Sequence, residues 1–337
     1  MNPNRRLAVL AMSSVLASMM TGCGGGGDET ITTTPPPPPP TSGRPTSVER
    51  NVLPATADSQ VTTALEAHVA INPSASVAPV NKLFVFLPGT GGTPDMYRLI
   101  LRAGATRGYH TLGLNYPDDE AVGVTCAAQS TSCYWDVRRE VITGTSTSSL
   151  VSVSVPDSIV TRLTKVLTYL NTTYPTEGWG QYVSGGAPVW ANITVAGHSQ
   201  GGGHAGVMAK LYSLNRAVYF ASPPDWSGSA PAAWTGFSNV TAASKQYAFT
   251  NVDDTLVSYS DLTAIWAAMS LSGPAVSVDS NAAPYSSSHI LTTTATPRSA
   301  GVTISPTHGA TVLDAATPLT SSGAPVYDAA WAYLCFP

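Results

Sequence analysis

The stretch Ile193-Thr-Val-Ala-Gly-His-Ser199-Gln-Gly-Gly-Gly203 constrains the fold of this chain more than any other. A β-branched apolar run, Ile193 to Ala196, reads as a buried strand. It stops at Gly197-His198-Ser199-Gln200-Gly201, and a helical pattern follows at once from Gly202 to Tyr212. A strand that turns directly into a helix needs small residues on both sides of the turn, because a Cβ at Gly197 or Gly201 would clash there. Ser199 sits at the apex, its backbone strained and its hydroxyl exposed. The helix aims the N–H of Gln200 and its positive end at the same point. Strand, G-x-S-x-G and helix together are the context of a nucleophile elbow.

Other elements alternate around it. Lys82-Leu-Phe-Val-Phe-Leu-Pro88 reads as a strand buried on both faces, followed by Gly89-Thr90-Gly91-Gly92 and a helix from about Pro94 to Gly108. A strand is expected over His110 to Tyr116 and an amphipathic helix over Asp157 to Tyr174. Further strands are expected over Arg216 to Ala221, Gln246 to Val252 and Ser288 to Thr294, and a C-terminal helix over Val326 to Phe336. Trp179 to Trp190 reads as a Gly-rich connection, and Arg50 to Asn72 carries mixed signals that place no element. The alternation predicts a single α/β domain over residues 48–337, with a doubly wound, mostly parallel sheet and helices on both faces. Its ligand site belongs at the carboxyl ends of the strands, where Ser199 falls.

The first 47 residues form no part of that domain. Met1 to Gly22 reads as an export signal, with Arg5 and Arg6 as the charged start and Leu7 to Met20 as the apolar region. Met20-Thr21-Gly22-Cys23 resembles a bacterial lipobox. The resemblance implies that Cys23 is the lipidated first residue of a mature lipoprotein, at the outer membrane or cell surface given Gly24; plain cleavage and secretion is the alternative. Residues 23–47, with Gly24 to Gly27 and then Pro35 to Pro40, form a tether, flexible then stiff. Charged residues make up only 11% of the chain at a net charge of -4, with no basic stripe, so nucleic acid is not an expected partner. The expected state is a monomer.

Export sets the reading of the cysteines. Cys126 and Cys133 flank a short loop in an oxidising compartment, which points to a disulfide; no His or second Cys pair stands near to make a metal site. Cys335 lies in the last apolar segment and reads as a buried thiol, with pairing to Cys126 or Cys133 as the alternative. No metal, flavin or nucleotide motif is present: Gly201, Gly202 and Gly203 lack the G-x-G-x-x-G spacing.

A serine hydroxyl is a weak nucleophile at neutral pH and needs a base, normally a histidine oriented by a carboxylate. Downstream of Ser199 the acids are Asp225, Asp253, Asp254, Asp261 and Asp279; of these, Asp253 and Asp254 directly follow a strand. The histidines downstream are His289, inside a strand pattern, and His308, in the loop Pro306-Thr-His-Gly that runs into an apolar segment. His198 and His204 read as packing residues, and His68 and His110 carry no signal.

With these residues in order, the chain resembles the α/β-hydrolase superfamily, in which nucleophile, acid and histidine follow one another along the sequence. The family's acid often reads Asp, any residue, aliphatic, Val. Asp254-Thr255-Leu256-Val257 fits that pattern, and Asp253 is one position out of register. The resemblance implies a triad of Ser199, Asp254 and His308, with Asp253 and His289 as the alternatives. Leu87-Pro88-Gly89-Thr90-Gly91 resembles the His-Gly-x loop of lipases, with Pro88 in place of His. It implies an oxyanion hole built from the N–H groups of Gln200 and Thr90, Gly91 being the alternative to Thr90. Ser199-Gln200-Gly201 is similar to the same segment in cutinases and polyester-degrading esterases. The loop of Cys126 and Cys133, the segment Trp135 to Gly144 and the stretch from Pro223 to Trp234 are candidates for a substrate-facing cap. The expected function is that of an exported serine hydrolase cleaving uncharged or acyl esters through an acyl-enzyme, without a cofactor and without a metal. A serine peptidase or amidase of the same fold is the second reading, and a catalytically silent binding protein the third.

Overall fold

The computed structural model describes residues 47–271, 273–299, 301–302 and 305–337. The export signal, Cys23 and all of the tether but Ser47 lie outside the described residues.

Nine strands form one sheet: β1 Val48–Val52, β2 His68–Asn72, β3 Leu83–Leu87, β4 His110–Gly113, β5 Ile193–His198, β6 Arg216–Phe220, β7 Gln246–Asn251, β8 Val276–Ser277 and β9 Ile290–Thr293. Among the described residues, six helices of eight or more residues accompany them: α1 Arg98–Ala105, α2 Cys133–Thr143, α3 Ile159–Thr173, α4 Gln200–Leu211, α5 Tyr259–Ala268 and α6 Asp328–Cys335. The spatial order is β1-β2-β4-β3-β5-β6-β7-β9-β8. β1 pairs antiparallel with β2 and β2 antiparallel with β4; every later pair is parallel. A mostly parallel sheet that begins with antiparallel strands is consistent with an α/β-hydrolase-like sheet.

The central strands are apolar throughout because both faces are covered. In β3, Leu83, Val85 and Leu87 face the core formed with α2, α3 and α4, while Phe84 and Phe86 face the core formed with α1 and α6. Ile193 and Val195 of β5 join the first cluster and Ala196 the second. Alternate residues of a strand point to opposite faces, so a continuous apolar run is what a doubly covered sheet requires.

The segment without a sequence assignment, Arg50 to Asn72, supplies β2 and most of its outer partner β1. β1 reads Val-Glu-Arg-Asn-Val, a polar edge strand whose Glu49 pairs with Arg98 and Arg102 of α1. Charge on an exposed edge discourages pairing with a further strand, at the loss of the apolar alternation that sequence reading relies on. The helix expected from Asp157 starts two residues later. Ser158 is its cap, its hydroxyl accepting from Thr161 N–H at 3.4 Å, while Asp157 is buried beneath it and accepts from Thr62, Thr63 and Arg162.

The disulfide is Cys126–Cys133, with Cα atoms 5.6 Å apart, and Cys335 is a buried free thiol whose titration burial pushes up. The segment Trp135 to Gly144 is mostly helix α2, with Val137, Arg138, Val141 and Ile142 buried.

Candidate active site

β5 ends at His198, and α4 begins at Gln200, so a single residue makes the turn. That residue, Ser199, has φ 52° and ψ −117°, a strained backbone for anything but glycine. The turn is held by the N–H of Ser199, which donates to the Phe220 carbonyl of β6 at 2.9 Å. Two close approaches explain the flanking glycines. A Cβ on Gly197 would lie 2.2 Å from the Gly201 carbonyl carbon, and one on Gly201 would lie 2.1 Å from the Leu87 oxygen. Gln200 is the first residue of α4, so its N–H has no acceptor four residues back inside the helix.

Asp254 lies in the turn after β7, at the same end of the sheet. Its Oδ1 accepts from the N–H groups of Leu256 at 2.8 Å and Val257 at 3.1 Å. Its Oδ2 accepts from His308 Nδ1 at 2.7 Å. Both side chains are buried, Asp254 being 8% and His308 3% exposed. The bond places the proton of a neutral His308 on Nδ1 and leaves Nε2 as its basic nitrogen. His308 lies in the short helix Pro306–Gly309, which is tied to the acid's turn by Ser305 and Thr255, their hydroxyls 2.6 Å apart. Its ring is 4.7 Å from that of His198, the residue before the elbow serine. Ser199 Oγ and His308 Nε2 share no hydrogen bond among the described residues; catalytic bonds of ligand-free sites often form only with substrate in place.

The loop after β3 faces the elbow. A Cβ on Gly89 would lie 3.3 Å from Ser199 Cβ. Three of the loop's N–H groups are taken: Gly89 donates to the Tyr97 hydroxyl at 3.3 Å, Gly91 to the Asp118 carbonyl at 3.0 Å and Gly92 to the Gly89 carbonyl at 2.8 Å. Of the four, Thr90 alone keeps an N–H without a partner among the described residues. The Thr90 hydroxyl donates to Gln200 Oε1 at 3.0 Å, and the Val122 N–H donates to the same oxygen at 2.9 Å.

The other candidates lie elsewhere. Asp253 is exposed, and its N–H caps back onto Asn251 Oδ1. His289 stands just before β9, at the amino end of the parallel strands and thus opposite Ser199. Its Nδ1 bonds the Gln246 carbonyl and its ring stacks on Tyr247 at 4.3 Å. Asp225 is fully buried in an ion pair with Arg138 and accepts from Trp234 Nε1 at 2.7 Å. Asp279 binds Thr293 and Thr294. Among the described residues, no cluster of three or more His, Cys, Asp or Glu is arranged to hold a metal ion.

Two residues that sequence reading passed over shape the site. Arg138 of α2 grips Asp225 through Nε at 2.7 Å and donates from Nη1 to the Gln200 carbonyl at 2.9 Å, bracing the first turn of α4. Asp118 lies behind the Gly89 loop with Oδ2 buried and unpartnered, and burial beside Asp119 and Glu66 raises its carboxyl to about 8.

No protein-family model matches this chain, and no curated protein matches it either.

Proposed function

We propose that the chain is a serine hydrolase that cleaves carboxylic esters through an acyl-enzyme. The observation that carries this reading is the Asp254–His308 bond at the strand ends beside a serine held at φ 52°. Structural turns do not need a strained serine, and structural histidines do not need a buried carboxylate two hydrogen bonds deep in a turn.

Ser199 Oγ attacks the ester carbonyl as His308 Nε2 takes its proton; Asp254 holds the ring and stabilises the imidazolium. The carbonyl oxygen becomes an oxyanion that accepts from Gln200 N–H and Thr90 N–H, and the positive end of α4 favours the same charge. Collapse breaks the bond to the alcohol, which leaves with the proton from His308. Water, deprotonated by the same histidine, then hydrolyses the acyl-serine. Uncharged acyl esters are the substrates that this site is read to take. The deciding experiment is a panel of chromogenic esters offered to the purified protein and to Ser199→Ala. Hydrolysis by the first and not the second supports the reading, and hydrolysis of none, or of all by both, refutes it.

The N-terminal reading belongs here as well. We propose that Cys23 is acylated and that the Gly- and Pro-rich tether holds the catalytic domain off an outer membrane. Cys23→Ser then loses membrane association on fractionation, and an unchanged distribution would refute the anchor.

A further inference from the structure

His198 is buried at 1% exposure and sits between the two loops that serve the elbow. Its Nε2 lies 3.0 Å from the His308 carbonyl oxygen. Its Nδ1 lies 3.0 Å from the Tyr97 hydroxyl, and that hydroxyl lies 3.3 Å from the N–H of Gly89. The directions of these bonds follow from what each group can do. A carbonyl oxygen only accepts, so His198 Nε2 carries a hydrogen and donates to His308. Burial, with His308 adjacent, lowers the titration of His198 to about 3, so the ring is neutral and Nδ1 is bare. Tyr97 therefore donates its hydroxyl proton to Nδ1, and its oxygen accepts from Gly89. The chain of donors runs Gly89 N–H to Tyr97, Tyr97 to His198, and His198 to the backbone of His308.

We propose that His198 is a positioning residue: through its Nε2–H it fixes the main chain that carries the base His308, and through Tyr97 it fixes the first residue of the Gly89–Gly92 loop. The base is thus anchored at two points. Asp254 holds Nδ1 of its ring, and His198 holds its carbonyl. Packing alone does not account for the arrangement, because an apolar side chain of similar size would leave the His308 carbonyl without a donor and the Tyr97 hydroxyl proton without an acceptor, both buried. The loop also packs closely on this ring: a Cβ on Gly89 would come to 3.1 Å of His198 Nδ1, tight enough to crowd it.

The proposal rests on the hydrolase reading for its kinetic arm, and its spectroscopic arm stands without it. In the wild-type protein carrying ¹⁵N-labelled histidine, His198 is expected as the Nε2–H tautomer, untitrated between about pH 5 and 9. An Nδ1–H tautomer, or protonation in that range, overturns the assignment before any variant is made. In His198→Leu the Nδ1 proton that His308 shares with Asp254 is expected to shift and to exchange faster with water. The same variant loses roughly 10²-fold in kcat with KM within about twofold, as small misplacements of a reacting group do. His198→Gln, whose Nε2 can reach the same carbonyl, restores the His308 signal and brings kcat within about fivefold of wild type. Tyr97→Phe spares the His308 signal but lowers kcat through the Gly89 loop. A His198→Leu protein with lowered Tm but wild-type kcat and an unmoved His308 proton overturns the proposal, and so does a His198→Gln protein no better than His198→Leu. If the wild type cleaves no ester, the hydrolase reading falls while the His308 signals still decide the positioning role.

Discussion

His308 Nδ1 and Asp254 Oδ2 lie 2.7 Å apart across 54 positions of sequence, and the remaining oxygen of Asp254 is bound by two backbone N–H groups. The carboxylate is therefore fixed before it meets the imidazole, which is what orienting a base requires. His308→Ala is expected to lower kcat on the order of 10⁴-fold, and Asp254→Asn somewhat less. His289→Ala and Asp253→Asn are expected to keep wild-type kcat, since one lies at the far end of the strands and the other faces solvent. Steady-state kinetics of the four variants checks the assignment, and loss of activity in either of the last two would contradict it.

The same pairs show what the sequence could and could not tell. The turn at Asp254 is legible because the Asp-x-Leu-Val pattern is the turn itself: the side chain caps the N–H groups two and three residues on. The elbow was legible because its glycines answer contacts made within a few residues or with one neighbouring strand. β1 was not, because a charged edge strand shows no apolar alternation and its partner β2 lies sixteen residues beyond its own end. Nor was Arg138, whose partners Asp225 and Gln200 are 87 and 62 residues away. His198 reads as a packing residue in sequence, and its bonds depend on Tyr97 and His308, which only the tertiary fold brings to it.

Arg138 and Asp225 form an ion pair with both side chains fully buried. Removing one partner strands the other charge, so Asp225→Ala is expected to destabilise the protein by about 3–5 kcal/mol. Denaturant unfolding measures this. A change within the range of a surface substitution would show that water or another group takes over the guanidinium.

Stability is expected to be greatest slightly below neutral pH. His68 and His198 are held neutral, their titrations lowered to about 3 chiefly by burial, and burial lowers those of His204 and His110 as well, so lowered histidines outnumber the raised carboxyls. Unfolding frees them to protonate below their ordinary value of 6.5, so each loses stability as pH falls from there towards 3. Asp118 and Asp314 run the other way. Burial raises them to about 8 and about 7, so the folded state holds their protons longer, and stability falls as pH rises from 3.8 through those values. Thermal unfolding across pH 4–9 is expected to show limbs on both sides, and Asp118→Asn to flatten the alkaline one. An alkaline limb unchanged by that substitution would rule out Asp118 as its source.

The bond between Cys126 and Cys133 closes a short loop at the start of α2. Loop-closure entropy then gives it about 2 kcal/mol of stabilisation. A double Cys→Ser variant is expected to lose that much on unfolding and, because Val122 N–H holds Gln200 Oε1 just before this loop, to lose some of the proposed ester hydrolysis as well. Wild-type stability in the double variant would contradict the entropic account.

The central claim is that Ser199 is a nucleophile activated by His308. A fluorophosphonate probe reports this directly, since it bonds covalently only to an activated serine, and peptide mapping locates the adduct. The expected result is one adduct, on Ser199, absent from Ser199→Ala and formed far more slowly in His308→Ala. An unlabelled wild-type protein, or an adduct on any other residue, would contradict the claim.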